Sequence, residues 1–195
     1  MPRTKEAYRQ IRDARKEQIL DAAAAVFAER GLASTKIGDL AAAAGVSQGL
    51  LYRYFSDKED AFAALVERSV QHAVQRAQSA MENEGTAWER LRALTEDFLR
   101  GMSEKPMYYQ IFLQAFALSG PVHEIIGELQ SLVAALRRLI VDGQAAGQMS
   151  KRDPDQLVLL YLSCLYGLAA GMGLAHRGLA AHFPDAEAVL QILRP

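Results

Sequence analysis

Between residues 31 and 60 the chain is punctuated about every ten residues, and that spacing excludes most folds. Gly31, Gly45 and the pair Ser56-Asp57 interrupt segments that otherwise have helical periodicity. The pieces left between them are short. One carries Ile37, Leu40 and Ala41; the next carries Val46, Leu51 and Phe55. Neither can bury its apolar side alone, so both must turn sharply and pack on something larger.

That larger element is the preceding segment. Ile19, Ala23, Val26 and Phe27 recur at i, i+4, i+7 and i+8, one face of a helix over about 15–30 that Gly31 ends. Nothing after Pro2 prevents an earlier start, which would put Lys5, Arg9, Arg12 and Lys16 on one side. Thr35 is placed as the cap of a helix over 36–43, and Ser47 as the cap of one over 48–54. Ser56-x-x-Glu59 reads as a capping box opening a fourth helix to about 82. Thr86-x-x-Glu89 is a second box, for a helix to about 102. Pro106 to Leu118 reads as an apolar helix, and Pro121 as the first residue of a long one ending near Gly147. Asp153-Pro154 starts an uncharged helix, and Pro184 a short last one. The reading is all-α, with about nine helices. Helices are short before residue 60 and long after it. We therefore expect a small module over 1–60, with a basic arm over 1–14, and a larger helical domain over 61–195.

Composition narrows the class. Half of the 195 residues are hydrophobic and 23% are charged, enough for a sizeable core. The formal net charge is −1, which does not announce nucleic acid. Residues 1–16 differ: six basic side chains stand against two acidic ones, a net +4. A single cysteine, Cys164, excludes an intrachain disulfide framework and a cysteine-based zinc cluster, and no metal or cofactor is implied. The first residues lack an apolar leader, so a cytoplasmic protein is expected. Leu157 to Ala175 is 19 residues without a charge, long enough for a bilayer. Its tyrosines, serine and glycines suit a helix buried on all sides equally well. We expect no membrane partner.

The stretch GVSQG, Gly45 to Gly49, permits two chemistries. It matches G-x-S-x-G, in which a serine nucleophile stands on a strand-to-helix turn above a parallel sheet. That reading needs a strand leading into Ser47, and IGDLAAAA favours helix. The other reading is a tight turn between two short helices, the second of which enters the major groove. The residues at its exposed end fit DNA. Gln48 offers a bidentate amide for a base edge, Arg53 pairs with guanine or phosphate, and Leu50 can meet a thymine methyl. Ser47, Tyr52 and Tyr54 carry hydroxyls for phosphate, Gly49 permits close backbone approach, and Lys58 can neutralise a phosphate. We therefore read no enzyme.

The run Thr35-Lys36-Ile37-Gly38-Asp39-Leu40-Ala41, then Ala44-Gly45-Val46-Ser47, Gly49, Leu51-Tyr52, Tyr54-Phe55 and Lys58-Glu59, resembles the DNA-binding module of the TetR family of bacterial repressors. The likeness is specific over about 15–65 and one of layout beyond. It implies a transcriptional regulator, a repressor that dimerises on a palindromic operator in double-stranded DNA and is released by a small effector. By position, Thr35 and its neighbour Lys36 would meet DNA at the start of the second helix. Ser47, Gln48, Gly49 and Tyr52 would lie in the major groove, and Tyr54 and Lys58 would grip phosphates. Lys36, Gly38 and Leu50 depart from the usual residues, so readout is expected to rest on Gln48, Leu50 and Arg53.

The larger domain is rich in aromatics. Tyr108, Phe112 and Phe116 share a helix face, and Phe98 adds to them. Walls of this kind, with Tyr109, Gln114, Tyr161 and Cys164 as polar handles, suit a hydrophobic or aromatic effector. Gly167, Gly171 and Ala175 let two helices approach closely. The resemblance implies that the last two helices build the homodimer interface there.

Overall fold

The computed structural model describes residues 5–104, 106–117, 126–174 and 183–195. All regular structure among them is helical: α1 (Lys5–Ser34), α2 (Ile37–Ala43), α3 (Gln48–Leu51), α4 (Lys58–Glu82), α5 (Ala87–Glu104), α6 (Pro106–Ala117), α7 (Ile126–Ala145), α8 (Pro154–Leu174) and α9 (Ala186–Leu190), followed by a 3-10 turn over Gln191–Leu193. Pro121 as a helix start, Gly120 and His123 lie outside the described residues. No helix among the described residues is long and apolar enough to cross a membrane.

Helix starts follow local hydrogen-bond chemistry, with shifts of a residue or two. Thr86 and Glu89 form the expected reciprocal box: the Thr86 N–H donates to Glu89 Oε2 (2.8 Å) and the Glu89 N–H to Thr86 Oγ1 (3.2 Å). The Thr86 N–H and hydroxyl hold the Glu89 carboxyl below its ordinary pKa. Asp153 caps α8 as read, accepting from the N–H groups of Asp155 and Gln156. Helix α4 begins one residue later than read. Asp57, not Ser56, is its N-cap, accepting from the Asp60 N–H at 2.7 Å, while Asp60 reaches back to the Ser56 N–H. The carboxylate outcompetes the hydroxyl for the first free N–H groups because it is charged. Helix α9 likewise starts after Asp185 rather than at Pro184.

Two apolar clusters hold the helices. The first gathers Ile19, Leu20, Ala23, Ala24 and Phe27 of α1, Leu40 and Ala41 of α2, Leu51 and Phe55 around α3, and Ala61 to Val74 along one side of α4. Phe27 and Phe62 meet edge to face at its centre, 5.1 Å between centroids. This cluster does not stop at residue 60. It runs well along α4 and takes in Ile111 of α6, fully buried, with Met107 and Tyr108 against it. The second cluster joins α5, α7, α8 and the C-terminal turn through Leu91, Leu136, Ile140, Leu157, Tyr161 and Leu193.

Helix α6 therefore plugs into the core of the N-terminal helices. We predict that Ile111→Ala, though distant in sequence, destabilises the first cluster by about 2–5 kcal/mol. Denaturant unfolding followed by fluorescence and by exchange of the α1 amides measures it.

Candidate nucleic-acid interface

Three contacts set the angle between α1, α2 and α4. Gly31 adopts φ 72°, a left-handed geometry that breaks α1 near its end. The last carbonyls of α1 are then left without helical partners. Thr35 Oγ1 donates to the Gly31 carbonyl at 2.7 Å. Lys58 Nζ, from the first residue of α4, donates to the carbonyls of Leu32 (3.0 Å) and Ala33 (3.2 Å). One cation and one hydroxyl thus close the end of α1 and bring the start of α4 against it.

Two of the residues assigned to phosphate are occupied here. Thr35 is buried, 1% exposed, and its hydroxyl points back into α1; the N-cap of α2 is Lys36, whose own N–H donates to Asp39 Oδ2 at 2.9 Å. That backbone contact, with Arg30 at 3.2 Å, holds the Asp39 carboxyl below its ordinary pKa. Lys58 is half-buried and bound to carbonyls rather than projecting into solvent. Both side chains, assigned to phosphate from the sequence, bond carbonyls of α1 here.

The turn matches its reading closely. Helix α2 ends in a Schellman arrangement: the Val46 N–H donates to the Ala41 carbonyl (3.0 Å) and the Gly45 N–H to that of Ala42 (3.1 Å), with Gly45 at φ 62°. Ser47 then caps α3, its Oγ accepting from the Leu50 N–H at 3.1 Å. The approach to Ser47 is helix α2, not a strand, so the serine is a cap and no nucleophile elbow exists at this turn. Helix α3 is shorter than the 48–54 read from sequence. After Leu51 the chain tightens, with the N–H groups of Arg53 and Tyr54 bonding carbonyls three residues back, before Phe55 plunges into the core.

The side chains left outside around this turn are mostly polar. Lys36, Ser47, Gln48, Gly49, Tyr52 and Arg53 are exposed together, Tyr52 by 54%, with Leu50 half-buried beside them. Tyr54 is half-buried against the first cluster. Gly38 has a positive role at this face: a Cβ built on it would lie 2.7 Å from Gln48 Nε2, so the Gln48 amide rests over α2 in space that glycine leaves open.

The residues read as effector handles divide. Phe98 and Tyr109 stack edge to face at 4.9 Å, and the Tyr109 hydroxyl donates to the Phe98 carbonyl. Tyr161 is fully buried; Thr95 Oγ1 donates its proton to the Leu91 carbonyl, so the Tyr161 hydroxyl donates to Thr95 at 2.9 Å. Burial drives its pKa well above the usual phenol value. The Gln114 amide donates to the Phe27 carbonyl of α1 at 3.2 Å. Cys164 is half-buried. The side chains of Phe112 and Phe116 lie outside the described residues. The surface clefts formed by described residues include one of about 360 Å³ beside Trp88 and Arg194 and one of about 370 Å³ on α7 beside Leu129 and Val133. Neither is lined by the residues read as effector handles.

One cluster carries no signal in the sequence. Arg68 of α4 pairs with Glu17 (2.7 Å) and Asp21 (3.0 Å) of α1, and the Tyr108 hydroxyl of α6 donates to Asp21 at 2.8 Å. Burial, then the Asp21 carboxylate, pushes the Tyr108 pKa up. On α8, Leu159 (66% exposed), Leu160 (47%), Ser163, Tyr166, Gly167 and Ala170 make one outward face. Gly171 is half-buried, and a Cβ on Gly167 or Gly171 would meet nothing within 4 Å. Ala175, the third predicted interface residue, lies outside the described residues.

Comparison with known proteins agrees with this layout. Residues 19–65 match the family model for bacterial regulatory proteins of the tetR family, and residues 84–170 match a tetracyclin repressor-like C-terminal domain. The HTH-type transcriptional activator FasR of Mycolicibacterium smegmatis is 32% identical over 103 residues, covering 53% of this chain and 47% of that protein. The match thus spans about half of that relative's length. The fatty acid degradation regulator FadR of Bacillus halodurans superposes with a TM-score of 0.76 at 22% identity, covering 91% of this chain and 92% of that one. FadR of Bacillus subtilis, solved in complex with stearoyl-CoA, superposes at 0.77 and 20% identity, covering 91% and 97%. At these identities the two structures share the fold.

We predict that Ser47→Ala costs about 1 kcal/mol of stability through the lost cap. Lys58→Met costs about 1.5–3 kcal/mol, because it strips charged donors from two carbonyls. Chemical denaturation measures both, and accelerated amide exchange confined to the end of α1 and the start of α2 identifies the second as a scaffold effect.

Proposed function

The chain belongs to the TetR family, a family of DNA-binding transcriptional regulators, and from that membership we propose that it is a homodimeric repressor released from a palindromic operator by a small hydrophobic effector. The observation that carries the DNA reading is the exposed face of Lys36, Ser47, Gln48, Gly49, Tyr52 and Arg53 around a capped, rigid turn. Gln48 and Arg53 supply base-edge and phosphate donors, and Leu50 an apolar contact. Residues 1–60 form the DNA-binding part and 61–195 the effector and dimerisation part, with α4 belonging to both.

Dimerisation follows from the α8 face. Leu159 and Leu160 expose apolar surface beside small residues at a spacing that admits a second helix closely. A twofold pair on this face sets two α3 segments on successive grooves of the duplex, and the operator inherits the symmetry. A duplex-DNA partner also implies the cytoplasm. Ser47 caps α3 at the end of a helical approach, and we propose no enzymatic role.

Release is a population shift. An effector that favours one position of α6 acts on α1 through two side-chain links, Tyr108 to Asp21 and Gln114 to the Phe27 carbonyl, and through Ile111 in the shared core. The links of α6 give a direct route to α1, and Arg68 of α4 contacts both helices through Asp21 and the Tyr108 hydroxyl. Apolar and aromatic residues around Phe98 and Tyr109 suit an effector with a long apolar body, and stearoyl-CoA, found in the Bacillus subtilis structure, is the first probe.

Selection from randomised duplexes tests the reading. A palindromic site should be enriched, and Gln48→Ala should relax preference at one position in each half-site by about 1–3 kcal/mol. Leu159→Glu with Leu160→Glu should yield a monomer by sedimentation and lose tight operator binding. A variant set that leaves binding intact while Ser47→Ala abolishes an esterase activity contradicts the proposal.

A further inference from the structure

Helix α1 starts at Lys5, well before its first buried side chain. From Lys5 to Gln18 only Ala7 and Lys16 are even half-buried; Ile19 is the first core residue. At about 1.5 Å per residue this is an overhang of about 21 Å. The overhang has a basic stripe. Lys5, Arg9, Arg12 and Lys16 fall at i, i+4, i+7 and i+11, one line along the helix. Ion pairing hardly neutralises it: the contact between Arg9 and Asp13 is 3.9 Å long, with side chains 79% and 67% exposed.

The packed part of α1 fixes the direction of the stripe. Continuing the same line leads to Ala23 and Phe27, both fully buried against α2, α3 and α4. The stripe therefore faces the same way as the packed side of α1, but beyond the edge of the body. Lys16 marks the junction: its Nζ sits 5.7 Å from the ring centroid of Phe55, the residue that ends the α3 segment. The cations begin over Phe55, two residues past Arg53 of the proposed reading face, and run outward over about 16 Å, from Lys16 to Lys5.

We infer that the overhanging stripe of α1 is a second DNA-contacting element, which lies along the phosphate backbone flanking the base pairs read by α3. This inference rests on the DNA-binding reading above and adds to it an element outside the helix-turn-helix. The stripe contributes affinity and salt dependence without sequence preference, since phosphate contacts carry none directly. Its cations also offset a chain whose net charge is −1. Arg9 and Arg12 are the informative positions, because neither touches the core.

The test uses the full-length protein and a duplex selected by it from randomised DNA. That duplex is made in two lengths, a core of the enriched base pairs alone and that core with about ten flanking base pairs on each side. Arg9→Gln with Arg12→Gln is compared with wild type by fluorescence anisotropy across a salt series. On the long duplex the slope of log K against log salt should fall by about 0.9 for each phosphate no longer neutralised, or about 1.8 per protomer. On the core duplex the two proteins should be indistinguishable, and the enriched sequence should be unchanged. An Arg15→Gln control, off the stripe, should leave the long-duplex slope as it is. Equal slopes on the long duplex overturn the inference while leaving the DNA-binding reading intact. Equal slopes together with loss of binding to anionic vesicles assign the stripe to a membrane surface instead, and overturn it too. A wild-type protein that enriches no duplex overturns both.

Discussion

The closure of the last turn of α1 is the constraint on which the rest depends. A glycine with positive φ ends the helix, and bare carbonyls come after it. Thr35 and Lys58 satisfy three of them from two different elements. Gln114 bonds a fourth carbonyl, that of Phe27, from α6. One short stretch of backbone thus receives donors from the start of α2, the start of α4 and the middle of α6. Carbonyl groups are fixed in direction, so these bonds set angles as well as distances, and the apolar cluster packs around the angles they set.

The polar face around α3 is a consequence. Leu40, Ala41, Leu51 and Phe55 are committed to the core, and the Ser47 hydroxyl is committed to the cap. The short segment then shows solvent Ser47, Gln48, Gly49, Tyr52 and Arg53. A helix this short is not stable by itself. Its rigidity comes from the Schellman turn before it and the burial of Phe55 after it. The same dependence on neighbours links the two ends of the molecule. Because α6 is part of the first cluster, a change in its position is felt directly where α1 is closed, and Arg68 ties α1, α4 and α6 at a second point.

The fold was largely legible in the sequence, because helix periodicity and Gly, Pro and capping residues act locally. Gly45, Ser47, Thr86 and Asp153 do what their positions imply. Thr35, Lys58 and Gln114 each bond carbonyls of α1, which their positions do not announce. Each is a polar side chain with local and long-range uses open to it, and the choice depends on which carbonyls α1 leaves bare, a matter of tertiary geometry. Ser56 loses the cap to Asp57 because a charged acceptor stands one residue away. Tyr161 and Thr95 show the same limit in the core: 66 residues separate the partners of that buried bond. The Arg68 cluster is illegible for the same reason, since nothing in a single arginine marks its convergence with Glu17, Asp21 and Tyr108.

The central claim is that the exposed face built around Ser47 is a sequence-reading head presented twice by a symmetric dimer. Selection of randomised duplex DNA with the purified protein tests it most directly. The predicted result is enrichment of an inverted repeat whose half-sites lie about one helical turn apart, roughly 34–36 Å or somewhat more. Enrichment of no sequence, or of a single unpaired half-site by a protein that sediments as a monomer, would contradict it.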